Sequence, residues 1–315
     1  MRVVTRLVVT RLVAAVATAA FVLRPGTALA CSVCGCGDPL VAVGQVAGPA
    51  GQVGLELDFQ WLSQKAGGEV PGTLDLLDQY SLLLTVSYTP VDRLNLVVTL
   101  PWTWKDMRMQ MPDGMTMPSS NLNGFGDMQL GLRWFVWDDV DVGARAHQSL
   151  SISASTFAPT GRNDAVDADG VRVDEHGQVG TGAWGPSLGL FYRYQGDLWS
   201  TYAGAWGLYR TTNAHGYRYG AAVLWTAAAQ WQPNDWLAIA LSLDGRWAAA
   251  DTQDGATVES TGGLVLAAVP AVYAQVFPAG WLFVKAQLPV ATSLYGEQSI
   301  GPVVTAGIRY EGLAF

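Results

Sequence analysis

Beyond residue 36 the chain has no cysteine, so no disulfide can staple its bulk. After the first thirty residues no apolar run reaches the ~18 residues that a membrane-spanning helix requires. Charge is scarce too: Asp, Glu, Lys and Arg make up 14% of the residues. No cluster of Lys and Arg is present to meet a phosphate backbone, which argues against nucleic-acid binding. The Gly-rich pieces contain no phosphate-cradling motif. Histidine is limited to His147, His176 and His215. What is abundant is apolar surface, at 50% of residues, with 36 glycines and 13 tryptophans. A chain this apolar buries a large core or faces lipid. Without helical spans, the way across a bilayer is a closed β-barrel, which pairs every backbone polar group within itself.

The first thirty residues read as an export signal. Arg2, Arg6 and Arg11 form a basic front, Leu12–Leu23 is a short apolar run, and Ala28-Leu29-Ala30 is a small-x-small cleavage site. Removal of residues 1–30 takes four arginines and no acid, leaving the remainder more acidic than the formal −8 of the whole chain. The mature chain then begins at Cys31, in an oxidising compartment. The expected division is residues 1–30 as signal peptide, 31–50 as a Cys- and Gly-rich periplasmic segment, and 51–315 as the barrel.

Period-two alternation recurs along 51–315. Val53, Leu55, Leu57, Phe59 and Trp61 share one face; so do Tyr80, Leu82, Leu84, Val86 and Tyr88; so do Leu94, Leu96, Val98, Leu100, Trp102 and Trp104. Met128, Leu130, Leu132, Trp134 and Val136 oppose Asp127, Gln129, Gly131 and Arg133. Short turns are expected at 89–93, 138–141, 195–197, 232–235 and 277–280. Longer loops are expected near 64–77, 105–123, 158–182, 210–216, 250–262 and 290–301. Five short and six long connections give twelve antiparallel strands, with short turns at one end and long loops at the other. An even count returns both termini to the periplasmic side. A soluble β-sandwich would alternate too, but Trp102, Trp104, Trp134, Trp137, Trp184, Trp225, Trp231 and Trp281 fall near strand ends, as interfacial girdles do. The expectation is therefore an all-β, twelve-stranded transmembrane barrel in the bacterial outer membrane, in contact with outer-membrane lipid.

The stretch "NGFGDMQLGLRW" (123–134), the strand end "VVTLPWTW" (97–104) and the terminal Phe315 resemble outer-membrane β-barrel transporters of the phenol meta-degradation pathway type. The resemblance extends over most of 51–315. It implies an outer-membrane barrel that passes small molecules, and it names no solute.

With the apolar face assigned to lipid, the other face points inward. That puts Glu56, Asp58, Asp127, Gln129, Arg133, Arg193, Arg218, Asp244, Arg246, Lys285 and Arg309 in the lumen. They could line a water-filled path whose basic members favour anionic or polar aromatic solutes. Alternatively they pair with one another and fill the interior, as happens in small barrels.

Two soft-ligand clusters stand out. "MRMQMPDGMTM" (107–117) holds Met107, Met109, Met111, Met115 and Met117, read as part of a long loop. Thioethers suit Cu(I); an adaptable apolar loop over the barrel mouth is the other reading. Cys31, Cys34 and Cys36 could be lipidated at Cys31, form a disulfide, bind Cu(I) or zinc, or hold a compact knot at the periplasmic edge. Copper is thus the one candidate cofactor, and a copper-handling barrel is an alternative function. A structural barrel docking a periplasmic protein partner through the cysteine segment is a second alternative.

Catalysis finds little support. His147 adjoins the Ser-rich strand 149–155, but adjacent strand residues point to opposite faces. His176 and His215 lie in loops with no Ser–Asp partner visible in sequence. The acidic stretch 163–175 lacks the ordered spacing of a calcium loop. The reading is a non-enzymatic channel for a small solute.

Overall fold

The computed structural model describes residues 48–67, 72–143, 145–167 and 170–313. The export segment, Cys31, Cys34, Cys36 and Phe315 lie outside them. Among the described residues there are strands and no helix: β1 (Gln52–Gly67), β2 (Leu74–Val91), β3 (Leu94–Gln110), β4 (Thr116–Phe125), β5 (Met128–Asp141), β6 (Ala146–Ala158), β7 (Gly185–Gln195), β8 (Trp199–Leu208), β9 (Tyr217–Arg218), β10 (Ala222–Asn234), β11 (Leu237–Ala248), β12 (Thr252–Gln253), β13 (Ala256–Thr257), β14 (Gly263–Phe277), β15 (Gly280–Leu294) and β16 (Gln298–Leu313).

Twelve of these make the wall, each antiparallel to its neighbours. β1 pairs with β2 on one side and β16 on the other, from Gln52↔Leu313 to Ala66↔Gln298, and β2 pairs with β3, so the sheet closes. β4 folds back on the upper part of β3, and β9, β12 and β13 form a small separate sheet.

Alternation explains the wall and inverts the usual arrangement of a folded chain. Leu55, Leu57 and Phe59 on β1, Leu82, Leu84 and Val86 on β2, and Leu130 and Leu132 on β5 are exposed. Glu56, Asp58, Ser81, Thr85, Gln129 and Arg133, between or opposite them, are buried. An apolar band of this extent on an outer surface is stable against lipid and not against water. Closure is what allows it, because no strand edge is left unpaired in the hydrocarbon. Trp184 and Trp231 are exposed near strand ends, whereas Trp134 lies mid-strand because β5 runs on to Asp141; Trp231 stacks on Trp199 with ring centroids 6.2 Å apart.

The short turns fall at 92–93, 142–145, 196–198, 235–236 and 278–279, at the same end of the wall as the start of β1 and the end of β16. The turn expected at 138–141 lies slightly later, because Asp138–Asp141 extend β5 and pair with β6. Three expected loops are instead largely strand. Residues 64–67 and 74–77 continue the β1–β2 pairing, 290–294 and 298–301 belong to β15 and β16, and 105–123 is mostly the β3–β4 hairpin. Polar composition suggested loops there, but a strand rising above the bilayer has water on it and needs no apolar outer face. The wall is accordingly uneven. β1, β2 and β3 have 16, 18 and 17 residues, while β7 and β8 have 11 and 10; about 9–11 suffice to cross the hydrocarbon.

Candidate functional site: the barrel lumen

Over the low side of the wall, segment 159–184 between β6 and β7 folds inward across the mouth. Two glycines let it do so. Gly180 donates its N–H to Arg162 O at 2.8 Å; a Cβ on Gly180 would lie 2.3 Å from the carbonyl carbon of Gly161, and one on Gly161 would lie 2.6 Å from Gly180 Cα. Asp127, in the bend between β4 and β5, accepts the N–H groups of Gly161 at 3.0 Å and Thr181 at 2.8 Å, along with the Thr181 hydroxyl. Lys105, inward on β3, donates to His176 O at 2.8 Å and Gln178 O at 2.5 Å. Gln178, 1% exposed, is itself fixed by Ala165 N–H and by the carbonyls of Ala165 and Val173. Val173 packs on Leu77 and Met107 of the wall.

A second set of bonds ties this roof to the loops after β8 and β11. Tyr219 OH donates to Glu175 O at 3.0 Å, and Asn213 Nδ2 reaches Glu175 Oε2 at 3.3 Å. Tyr217 OH donates to Asp251 Oδ2 at 2.6 Å and lies 3.1 Å from His176 Nε2. Burial first, and then the Asp251 carboxylate, holds the Tyr217 phenol well above the usual tyrosine range. Burial, followed by Glu175, does the same for Tyr219. Both phenols therefore stay neutral and act as donors. Arg210 lies over the rings of Phe157 and Tyr219, 4.7 and 5.6 Å from their centroids.

Beneath the roof is a cavity of about 340 Å³. One side of it is polar: Glu56, Asp58, Gln60 and Gln64 on β1, Thr99, Thr103 and Lys105 on β3, and Gln129 on β5. The other is apolar and aromatic: Phe157, Trp206, Leu208, Leu224 and Ala248. These belong to or pack on an inward cluster with Phe191, Ala222 and Val265. Asp244 and Arg246 on β11, cross-strand from Thr226 and Leu224, and Lys285 on β15 also line it, as do Leu77, Leu83 and Pro101; Thr226 Oγ1 donates to Asp244 at 2.7 Å. Charges of both signs are present.

Of the eleven residues assigned to the lumen from sequence, Glu56, Asp58, Asp127, Gln129, Asp244, Arg246 and Lys285 line this cavity. Arg133, Arg193 and Arg309 also face inward but lie nearer the short turns, below the lining residues of their strands, and form a floor. Arg133 is 2% exposed, with its guanidinium 4.7 Å from the Phe191 ring centroid. Arg309 pairs with Glu311 and lies 3.8 Å from Glu56. Arg193 donates to Gln195 Oε1 at 3.0 Å, so packing and pairing account for these three. Arg218 does not belong with the others: it is exposed on β9, in the small sheet outside the wall. The wall strand β10 begins only at Ala222. Met107 and Met109 lie on β3 rather than in a loop, and Met107 is buried.

Several lining groups were not assigned from sequence. Lys105 shares the inward parity of Thr99 and Thr103, but the strand was ended at Trp104. Trp206, Leu208 and Leu224 were missed because the apolar face of every strand was given to lipid. On the second half of β8 the small Ala203, Ala205 and Gly207 face out and Trp206 and Leu208 face in. His147 meets Asp138 at 2.6 Å on the β5–β6 hairpin, at the opposite end from His176.

The closed wall resembles that of a solved barrel. An outer membrane channel from Pseudomonas putida F1 superposes with a TM-score of 0.63 at 14% identity, covering 85% of this chain and 98% of that one. The fold is that of an outer-membrane β-barrel. More distant are the translocator domain of the autotransporter NalP from Neisseria meningitidis (TM-score 0.45, 11% identity, 86% of this chain and 92% of that one) and the CymD monoaromatic hydrocarbon channel (0.39, 10%, 84% and 89%). No protein-family profile matches the chain, and no curated protein is similar to it in sequence.

Proposed function

We propose that this barrel is an outer-membrane channel for a small amphipathic solute, with an aromatic or other apolar face and a polar edge. The observation that carries the reading is the two-sided lining of the cavity. A solute lying against Trp206, Leu208 and Leu224 presents its other edge to Gln129, Lys105 and the β1 carboxylates. A purely ionic path would not need the first wall, and a lipid-like cargo would not tolerate the second. Because the charges have both signs, the lining favours neutral or mixed-charge solutes over simple anions. The short-turn end and both chain ends then face the periplasm, as in other barrels with short turns at one end. The residues do no chemistry in this reading; they orient and desolvate the solute.

Reconstitution into proteoliposomes tests it. Flux of a small polar aromatic solute should exceed that of a sugar of similar size, and deletion of 163–178 should raise both. If neither solute crosses, with or without the roof, the barrel is a plugged structural element and the channel reading fails.

A further inference from the structure

We propose that the inward face of the β3–β4 hairpin is a soft-cation site that takes Cu(I) or Ag(I) through the thioethers of Met109, Met111, Met115 and Met117. The hairpin register brings them together. Met109 pairs directly with Met117, and Met111 N–H donates to Met115 O at 2.8 Å. Residues two apart on a strand share a face. The four side chains therefore stand as two cross-strand pairs, one above the other, on one side of the hairpin. Directly opposed Cβ atoms are about 4.5–5.5 Å apart, and the two tiers are separated by about 6.8 Å. Three rotatable bonds per methionine let the sulfurs close on one ion.

Packing does not account for these four as it does for the fifth. Met107, on the same face of β3, is buried against Leu77 and Val173. Above it Met111, Met115 and Met117 are 37%, 64% and 54% exposed. A hairpin tip in water gains nothing from apolar side chains, and alternating polar residues would serve the strand equally well. The surroundings suit a cation. Asp75 on β2 is the direct cross-strand partner of Met109, and Asp113 caps the turn by accepting Met115 N–H at 2.9 Å. Arg108 is on the opposite face, paired with Asp78 and Asp106. Neutral sulfur ligands select a soft monovalent ion over zinc or magnesium. They also carry no proton to displace, so binding should survive acidification to about pH 5, where thiolate and imidazole sites release metal.

The experiment uses the full chain folded in detergent, with Cys31, Cys34 and Cys36 replaced by serine so that thiolates do not compete. Ag(I) is titrated calorimetrically at neutral pH and again at about pH 5, with methionine methyl groups observed by NMR in parallel. The expected result is one Ag(I) per chain at both pH values. The methyl resonances of Met109, Met111, Met115 and Met117 should shift, and that of Met107 should not. Met111→Leu with Met115→Leu and Met117→Leu should abolish binding, while Met107→Leu should leave it intact. Heat unchanged by the triple substitution, or four unmoved methyl resonances, would overturn the proposal without bearing on solute flux.

Discussion

The carboxylate of Asp127 accepts the backbone N–H of Thr181 at 2.8 Å, so a residue in the bend before β5 holds the last turn of the roof loop. The same carboxylate holds the first turn through Gly161. One side chain thus pins both ends of a segment that otherwise spans the mouth. Hydrogen bonds to an ionised group contribute ~1.5–3 kcal/mol each. Asp127 makes three such bonds to the roof, against two from Lys105. Asp127→Ala should loosen the roof while the lipid-embedded wall keeps its pairing. The expected outcome is protease cleavage within 162–180 and higher solute flux, with the heat-modifiable gel shift of the folded barrel unchanged. A roof as resistant to protease as the wild type would show that Lys105 and the loops after β8 and β11 suffice.

The floor is the second barrier on the path. Arg133 and Arg193 face the lumen below the cavity, whose wall includes Glu56 and Asp58. Arg133→Ala and Arg193→Ala should each raise single-channel conductance. Both should also shift selectivity toward cations, because positive charge leaves a lumen whose carboxylates stay. Conductance and selectivity that do not move would place the path elsewhere in the barrel.

How far the sequence showed this site depends on the face considered. On β1, β2, β3 and β5 the alternation is clean, so Glu56, Asp58 and Gln129 could be assigned to the interior from parity alone. On β8 and β14 it is not: Trp206 and Leu208 face in, and Ala203, Ala205 and Gly207 face out. Both faces of such a strand read as apolar, and a period-two rule cannot choose between them. The roof was invisible for a different reason. Its partners are 71 and 73 residues apart along the chain for Lys105 with His176 and Gln178, and 54 for Asp127 with Thr181. Such contacts follow from closure of the wall, not from local pattern. The Met stretch was seen in full as a cluster, but only the 109↔117 register shows which sulfurs share a face.

The apolar wall makes a prediction that separates solute handling from simple width. Trp206→Gln keeps much of the side-chain length and removes the ring. If an aromatic solute rests on this wall, its flux should fall several-fold while sugar flux is unchanged. Leu224→Asn should act in the same direction. Equal changes for both solutes would mean that Trp206 sets diameter only.

The tyrosines that tie down the roof predict a loss of stability in alkali. Tyr217 and Tyr219 are held above the ordinary tyrosine pKa of about 10, foremost by burial. The closed roof keeps both protons at a pH where an opened roof releases them. A raised acid therefore contributes stability in full below about pH 10 and loses it as pH climbs beyond that value. The effect should appear as protease cleavage of segment 159–184 that accelerates between about pH 9.5 and 11. Tyr217→Phe with Tyr219→Phe removes both phenols. That variant should be cleaved faster at neutral pH, since Asp251 and the Glu175 carbonyl each lose a donor, but its rate should depend less on alkali. An alkaline acceleration as steep as that of the wild type would mean that other groups open the roof.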